Sequence, residues 1–172
     1  MMQINPKTGH DGPYDAPVTV SGGVVLPNWI DYNGHMNVAY YTRAFDDAID
    51  AFLEHELGIG ETHVTDSGCG PYALQSSYHY SAEMLEGEKF DVAIRLLDHD
   101  AKRLHIFCQM IKPDTGKICA SLESLMMNVD HRAKRSAVYP NWLQTRVQTM
   151  AASHAVLPTP PEIGALIGIR RK

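Results

Sequence analysis

Residues 29–58 read WIDYNGHMNVAYYTRAFDDAIDAFLEHELG, a cluster of polar side chains running directly into an amphipathic period. From Val38 onward Tyr41, Phe45, Ala48, Ile49 and Phe52 fall on one stripe at helical spacing, while Arg43, Asp47, Asp50 and Glu54 fall elsewhere. The pattern predicts a long helix from Val38 to about Gly58, with Asn37 as its N-cap and Gly58 and Gly60 as stops. One capping side chain is enough for a helix, yet Asp31, Asn33 and His35 crowd the approach to this one. On an extended loop these alternating residues share a side, and Gly34 lets the backbone turn tightly among them. A carboxylate beside the unpaired N–H groups of a helix N-terminus can activate water or attack a carbonyl, and the amide donors can stabilise the resulting oxyanion. The plainer reading is an Asx-turn at Asp31 or Asn33 leading into the Asn37 cap.

Outward from this segment the patterns change. Residues 1–16 carry Gly and Pro breaks with little apolar periodicity and read as an irregular arm. PVTVSGGVVL at 17–26 reads as a strand with a bulge or bend at Gly22 and Gly23, and TDSGCGP at 65–71 reads as a loop. ALQSSYHY, KFDVAIRLL, RLHIFCQMI and KICASLESLMMNV then read as successive strands, which suggests an antiparallel meander. The breaks DHDAK at 98–102 and KPDTGK at 112–117 are short enough for hairpins. NWLQTRVQTMAASHA at 141–155 suits a second helix, and a Pro-broken tail comes after it. The expected organisation is an arm over 1–16, an α+β domain over 17–140, and a helix and tail over 141–172 packed on that domain. Open sheet edges invite self-association.

At 172 residues the chain suits one domain, and its 44% hydrophobic and 20% charged content is that of a globular protein. A net charge of −5 argues against nucleic-acid binding, no apolar run is long enough for a membrane span, and the N-terminus lacks a secretory signal pattern. The expected location is the cytoplasm, with Cys69, Cys108 and Cys119 reduced. The nine histidines show no metal-ligand spacing, and His79, His99 and His105 lie singly on expected strands, so no metal is expected. The best basic cluster is HRAKR at 131–135, where Arg132, Lys134 and Arg135 could hold a phosphorylated ligand or form an ordinary solvated turn.

DYNGHMNVAY, in the form DxNxHxNxxY after a strand and opening a long helix, resembles the signature of hotdog-fold thioesterases, both the 4-hydroxybenzoyl-CoA thioesterase type and the plant acyl-ACP type. The similarity runs along most of residues 17–140 and includes the closing VDHRAKRSAVYP. It implies a hotdog fold: a curved antiparallel sheet of five to six strands wrapped around one long helix. It also implies hydrolysis of an acyl-CoA thioester without a cofactor. Asp31 then corresponds to the catalytic carboxylate, acting as general base or nucleophile, and Asn33 and His35 to partner polar residues of the acyl-ACP type. A Gly amide, Gly68 or Gly70, would polarise the thioester carbonyl, with Gly34 shaping the backbone of the catalytic turn. The family implies a homodimer or dimer of dimers with its site at the subunit interface, and the basic cluster noted above makes Arg132, Lys134 and Arg135 the candidates for holding CoA phosphates.

Trp29, Tyr32, Tyr40 and Tyr41, together with Asn37, surround the polar turn, and Tyr78 and Tyr80 lie on the next strand. Aromatics at such spacings are commonly core residues. Collectively, beside Glu83 or Glu123, they could also cage a quaternary ammonium group. The chain is similar to bacterial betainyl-CoA thioesterases of carnitine breakdown, which makes betainyl-CoA the candidate substrate. Three alternatives accompany this reading: a Cys69 nucleophile with His63 nearby, a hotdog hydratase or dehydratase, and a non-catalytic acyl-CoA-binding module.

Overall fold

The computed structural model describes residues 5–169. Its elements are β1 (Val18–Val24), α1 (Val38–Phe52), α2 (Glu61–Ser67), β2 (Cys69–Tyr80), β3 (Lys89–His99), β4 (Arg103–Lys112), β5 (Lys117–Asp130), β6 (Arg135–Ser136) and α3 (Asn141–His154). The sheet order is β1-β3-β4-β5-β2, every pairing is antiparallel, and β6 adds to β5.

The apolar stripe of α1 is the seat of the core. Phe45 and Phe52 are fully buried, with Tyr41, Ala44, Ala48 and Ile49 beside them, in one cluster with Val92, Ile94, Leu104, Ile106, Cys108 and Met110 of β3 and β4. Asn37 caps the helix as expected, its Oδ1 accepting the Ala39 N–H at 3.0 Å. After Phe52 one π turn, Leu53–Leu57, carries the helix on to Gly58. The expected bulge in β1 is present as a register shift between Ser21 and Gly23. Gly22 is required there, because a Cβ would lie 2.2 Å from the Phe90 ring.

Two expectations are corrected. The four central strands do not form a simple meander. β3, β4 and β5 are consecutive hairpins, but β2 pairs with β5, from Cys69↔Asp130 to Tyr80↔Ala120. The linker over 81–88 is too long for a tight turn, and its buried Met84 accepts the Met36 N–H at 2.8 Å, which ties the crossing to the start of α1. The stretch 65–71 is not a loop either: α2 runs to Ser67 and β2 begins at Cys69. Thr62, Val64 and Thr65 are weak helix formers, so the local pattern hides α2, and its first turn gains an acceptor from elsewhere, where Glu54 Oε2 takes the Thr62 N–H at 3.1 Å.

Helix α3 packs on β3 through a face that includes Leu143, Val147 and Met150. Arg146, 5% exposed, binds Asp11 through Nε at 2.7 Å and the carbonyls of Thr8 and Leu57 at 3.0 Å, which anchors the N-terminal arm. His154 receives the Leu96 N–H at Nδ1 (2.9 Å) and donates from Nε2 to the Asp15 carbonyl (2.8 Å), an arrangement that requires the neutral ring. Burial pushes its pKa below the ordinary 6.5. Among the described residues no helix is long and apolar enough to cross a membrane.

Phe52→Ala is expected to lower the unfolding free energy by about 3–5 kcal/mol, measured by urea denaturation, since the site is closed on all sides. Because native His154 resists a proton that the unfolded chain accepts, its contribution is present above 6.5 and declines as pH falls below it. Urea midpoints taken from pH 8 to pH 5 should fall on the acid side, and a His154→Leu protein, less stable at pH 8, should show a shallower decline.

Candidate active site

The polar turn before α1 is a closed, hydrogen-bonded structure. Ile30 and Met36 form a β-bridge, the Asp31 N–H donates to the His35 carbonyl at 3.0 Å, and the Asn37 N–H donates to the Trp29 carbonyl at 2.9 Å. Gly34, at φ +80, closes the turn by donating to the Asp31 carbonyl at 3.0 Å. That φ strains any side chain with a Cβ, which accounts for glycine at this position.

Within this turn the Asp31 carboxylate has two partners. Oδ1 accepts the Asn33 N–H at 2.8 Å and Oδ2 accepts Asn37 Nδ2 at 3.3 Å. The Asx-turn and the Asn37 cap are therefore both present, and both polar atoms of the Asn37 side chain are engaged inside the protomer. The three alternating side chains do not converge. Asn33 is exposed, and His35 turns to Glu83, with Nε2 3.0 Å from Oε2. That pair is about half exposed on each side, so it orients the ring more than it stabilises the fold. One bond per oxygen still leaves Asp31, itself partly exposed, with free acceptor positions.

The aromatic residues separate into two groups. Trp29 stacks on Tyr40, with centroids 5.3 Å apart, and Tyr32 projects fully into solvent. On the other side Tyr80 meets the edge of buried Tyr41 at 5.2 Å and lies parallel to Tyr78 at 6.3 Å. Glu83 lies beside His35 at this end of the molecule. Glu123 does not join them. Its neighbour Leu122 pairs with Tyr78 and faces the core, which sends Glu123 to the opposite face, where it binds His105 at 2.8 Å.

Gly68 and Gly70 lie at the opposite end of β2. The Gly68 amide donates to the Val64 carbonyl and closes α2, and Gly70 pairs with Val129 two residues on from the bond between His131 and Gly68, which turns its N–H toward β5 within the ladder, so neither amide stands free as a donor. The basic turn lies beside them: the His131 N–H donates to the Gly68 carbonyl at 2.9 Å, and Arg132 Nε is 3.9 Å from where a Gly68 Cβ would be. Arg132, Lys134 and Arg135 are all exposed, on a turn shaped by Asp130 Oδ1, which accepts the Arg132 and Ala133 amides. β2 has 12 residues and rises roughly 3.4 Å per residue, so these groups lie more than about 30 Å along the strand from the Asp31 turn. Of its two edges, one pairs with β5 and the other pairs with no described strand.

A groove of about 1040 Å³ runs between α1, α2 and β2, and of the expected site residues only Tyr78 lines it. Its rim is acidic, with Asp46, Asp50, Glu54, Glu61 and Asp66. Partial burial and then the neighbouring Asp46 raise the Asp50 pKa. In the sequence the acids of α1 stand out only as lying off its apolar stripe, since α2, which builds the other wall, has no local signal. Cys69 is buried and its thiol pKa is raised by that burial, while His63 packs against Trp142, so the pair lacks the geometry and the thiolate that a nucleophile needs. Among the described residues no group of three His, Cys, Asp or Glu side chains is placed to hold a metal ion.

Residues 25–147 match the model of the thioesterase-like superfamily. A betainyl-CoA thioesterase of Pseudomonas aeruginosa is 35% identical over 145 residues, covering 84% of this chain and 91% of that protein. An L-carnitine dehydrogenase/betainyl-CoA thioesterase of Rhizobium meliloti is 30% identical over 143 residues, which are 83% of this chain but 28% of that longer protein. Among solved structures, a hypothetical protein of Staphylococcus aureus in complex with CoA superposes with a TM-score of 0.83 at 24% identity, over 97% of this chain and 100% of that one. A 1,4-dihydroxy-2-naphthoyl-CoA thioesterase from Synechocystis gives 0.65 at 14% identity, over 76% and 94%. At those identities the structural likeness speaks for the fold, a curved antiparallel sheet around one helix. Fold, family model and the 35% identical relative agree, and the chain belongs to the thioesterase-like superfamily.

Proposed function

We propose that this protein hydrolyses an acyl-CoA thioester to free acid and CoA, with Asp31 as the catalytic carboxylate and betainyl-CoA as the substrate. The observation that carries the proposal is the separation of the Asp31 turn from Gly70 and Arg132 along a strand whose outer edge pairs with no described strand. Antiparallel pairing of two β2 edges about a twofold axis sets the start of one strand against the end of the other. Gly70 and the basic turn of one subunit then face Asp31, His35 and Tyr80 of its partner, and neither chain holds a complete site alone. A homodimer is the smallest assembly that satisfies this.

In the assembled site CoA phosphates meet Arg132, Lys134 and Arg135. Asp31 either takes a proton from a water attacking the carbonyl carbon or attacks that carbon itself, giving an anhydride that water opens. In both routes the C–S bond breaks and its electron pair leaves with the CoA thiolate. Parallel Tyr78 and Tyr80, edge-on Tyr41 and the acidic rim of the groove give a cationic acyl group π faces and negative charge together.

The Asx-turn favours a second reading, in which Asp31 only shapes its own loop. Asp31→Asn separates the two, because an amide oxygen can still accept the Asn33 N–H while the base and nucleophile are lost. Catalysis predicts a fall in kcat of at least about 100-fold with KM little changed, and activity within about tenfold of wild type would leave the residue a structural role. For the acyl group, kcat/KM for betainyl-CoA should exceed that for the uncharged isostere 3,3-dimethylbutyryl-CoA by at least about tenfold. Equal values would remove the cation-binding part of the proposal. For the composite site, Asp31→Asn and Gly70→Ala proteins should each be impaired alone. After subunit exchange the mixture should regain up to about a quarter of wild-type activity, since half of the dimers carry one intact site of two.

A further inference from the structure

The C-terminal segment is held on the face of the sheet that turns away from α1. Arg95 of β3 donates to the Leu157 carbonyl at 2.9 Å and to the Pro158 carbonyl at 2.5 Å, and Gly164 donates its N–H to Glu123 of β5 at 2.7 Å. The His105 ring braces Glu123 from β4. Between the two anchors the prolines 158, 160 and 161 and Leu157 roof over Phe107 and Ala93, leaving a cavity of about 420 Å³ beneath them. The segment therefore crosses from β3 to β5, and on the side of β5 away from β4 the described strands include only β2.

Beyond the second anchor the chain reads ALIGI, residues 165–169, in which Leu166 is 91% exposed, Ile167 fully exposed and Ile169 87% exposed. Three large aliphatic side chains grouped on five residues and touching almost nothing of their own protomer are unlike the singly scattered apolar residues of an ordinary surface. Five residues span up to about 17 Å when extended, against strand spacings of about 4.8 Å. That length is enough to pass β2 and reach the first strands beyond its free edge. In the paired sheet proposed above, those strands belong to the other subunit. Tyr72, half exposed and opposite Met127 on the same face as Glu123, offers apolar surface along the seam.

We infer that residues 165–169 are a staple, docking Leu166, Ile167 and Ile169 on the outer sheet face of a second copy of this chain across the β2–β2 seam. The inference rests on the dimer reading above. It assigns the tail a role that main-chain pairing of two strand edges leaves open, since a strand edge alone offers hydrogen bonds but little buried apolar area. Twofold symmetry makes the staple reciprocal, so each dimer is fastened twice.

The test uses the full chain and the Leu166→Asp/Ile167→Asp double variant. Both positions are exposed in the protomer, so its fold is not at risk. Sedimentation over a dilution series gives the dimer Kd, and the rate of subunit exchange between two differently labelled preparations reports on a pair too tight to dilute. The staple predicts a Kd or an exchange rate raised at least about tenfold in the variant. A dimeric wild type with both quantities unchanged in the variant overturns the staple and leaves β2 pairing intact. A wild type that stays monomeric at every concentration overturns the staple and the dimer reading together.

Discussion

The burial of one helical stripe inside a curved sheet is the constraint on which the rest of this molecule depends. Phe45 and Phe52 are closed off from solvent, and the strands facing them must bend to cover a cylinder from several sides. That seat fixes the start of α1, and the start of α1 fixes the turn carrying Asp31, because the Asn37 cap and the Ile30–Met36 bridge leave the intervening residues little freedom. The Met36–Met84 hydrogen bond then ties the linker between β2 and β3 to the same point. A packing event in the core thus brings Glu83 to His35 and Tyr80 to Tyr41 at the surface.

The same core leaves β2 at the boundary of the sheet, and this has chemical consequences. The basic turn beside the helix–strand junction and the carboxylate at the head of α1 belong to the proposed site, yet one long strand holds them apart. Joining them by any movement inside a single chain would mean dismantling the β2–β5 ladder, whereas joining them by symmetry costs no native contact. An edge that pairs with no described strand, ordinarily a hazard of aggregation, here accounts for how a site could be completed. The acidic rim of the groove acts in the same direction, because carboxylates gathered from two helices repel one another and are relieved by a bound cation.

Asp31 shapes its own loop and still leaves acceptor positions open. Its two hydrogen bonds orient the carboxylate without exhausting its acceptor capacity, and Asn37 serves at once as helix cap and as donor to Asp31. Pre-orientation of this kind is what a base or nucleophile requires, since a side chain free to rotate loses much of the benefit of proximity.

Local sequence was enough for the elements whose signal lies within a few residues. Helix α1 was legible from its stripe, its Asn37 cap from position, the β1 bulge from Gly22 and Gly23, and the three hairpin strands from alternation and turn residues. The motif DYNGHMNVAY carried the family resemblance as well, and with it the expected fold. Helix α2 was not legible, because its residues favour other structure and Glu54, eight positions before Thr62, helps hold its first turn. The partner of β2 was not legible either, since which strand it joins depends on where an eight-residue linker is pinned. Likewise the faces on which Glu123 and the tail lie depend on ladder register, a non-local quantity in which one residue of slip reverses every side chain. Sequence by itself determined which groups are present and how each local segment folds. Only the tertiary structure decided which of those groups stand together and which stand a strand's length apart, because distance across a sheet is set by the packing of the whole chain around one helix.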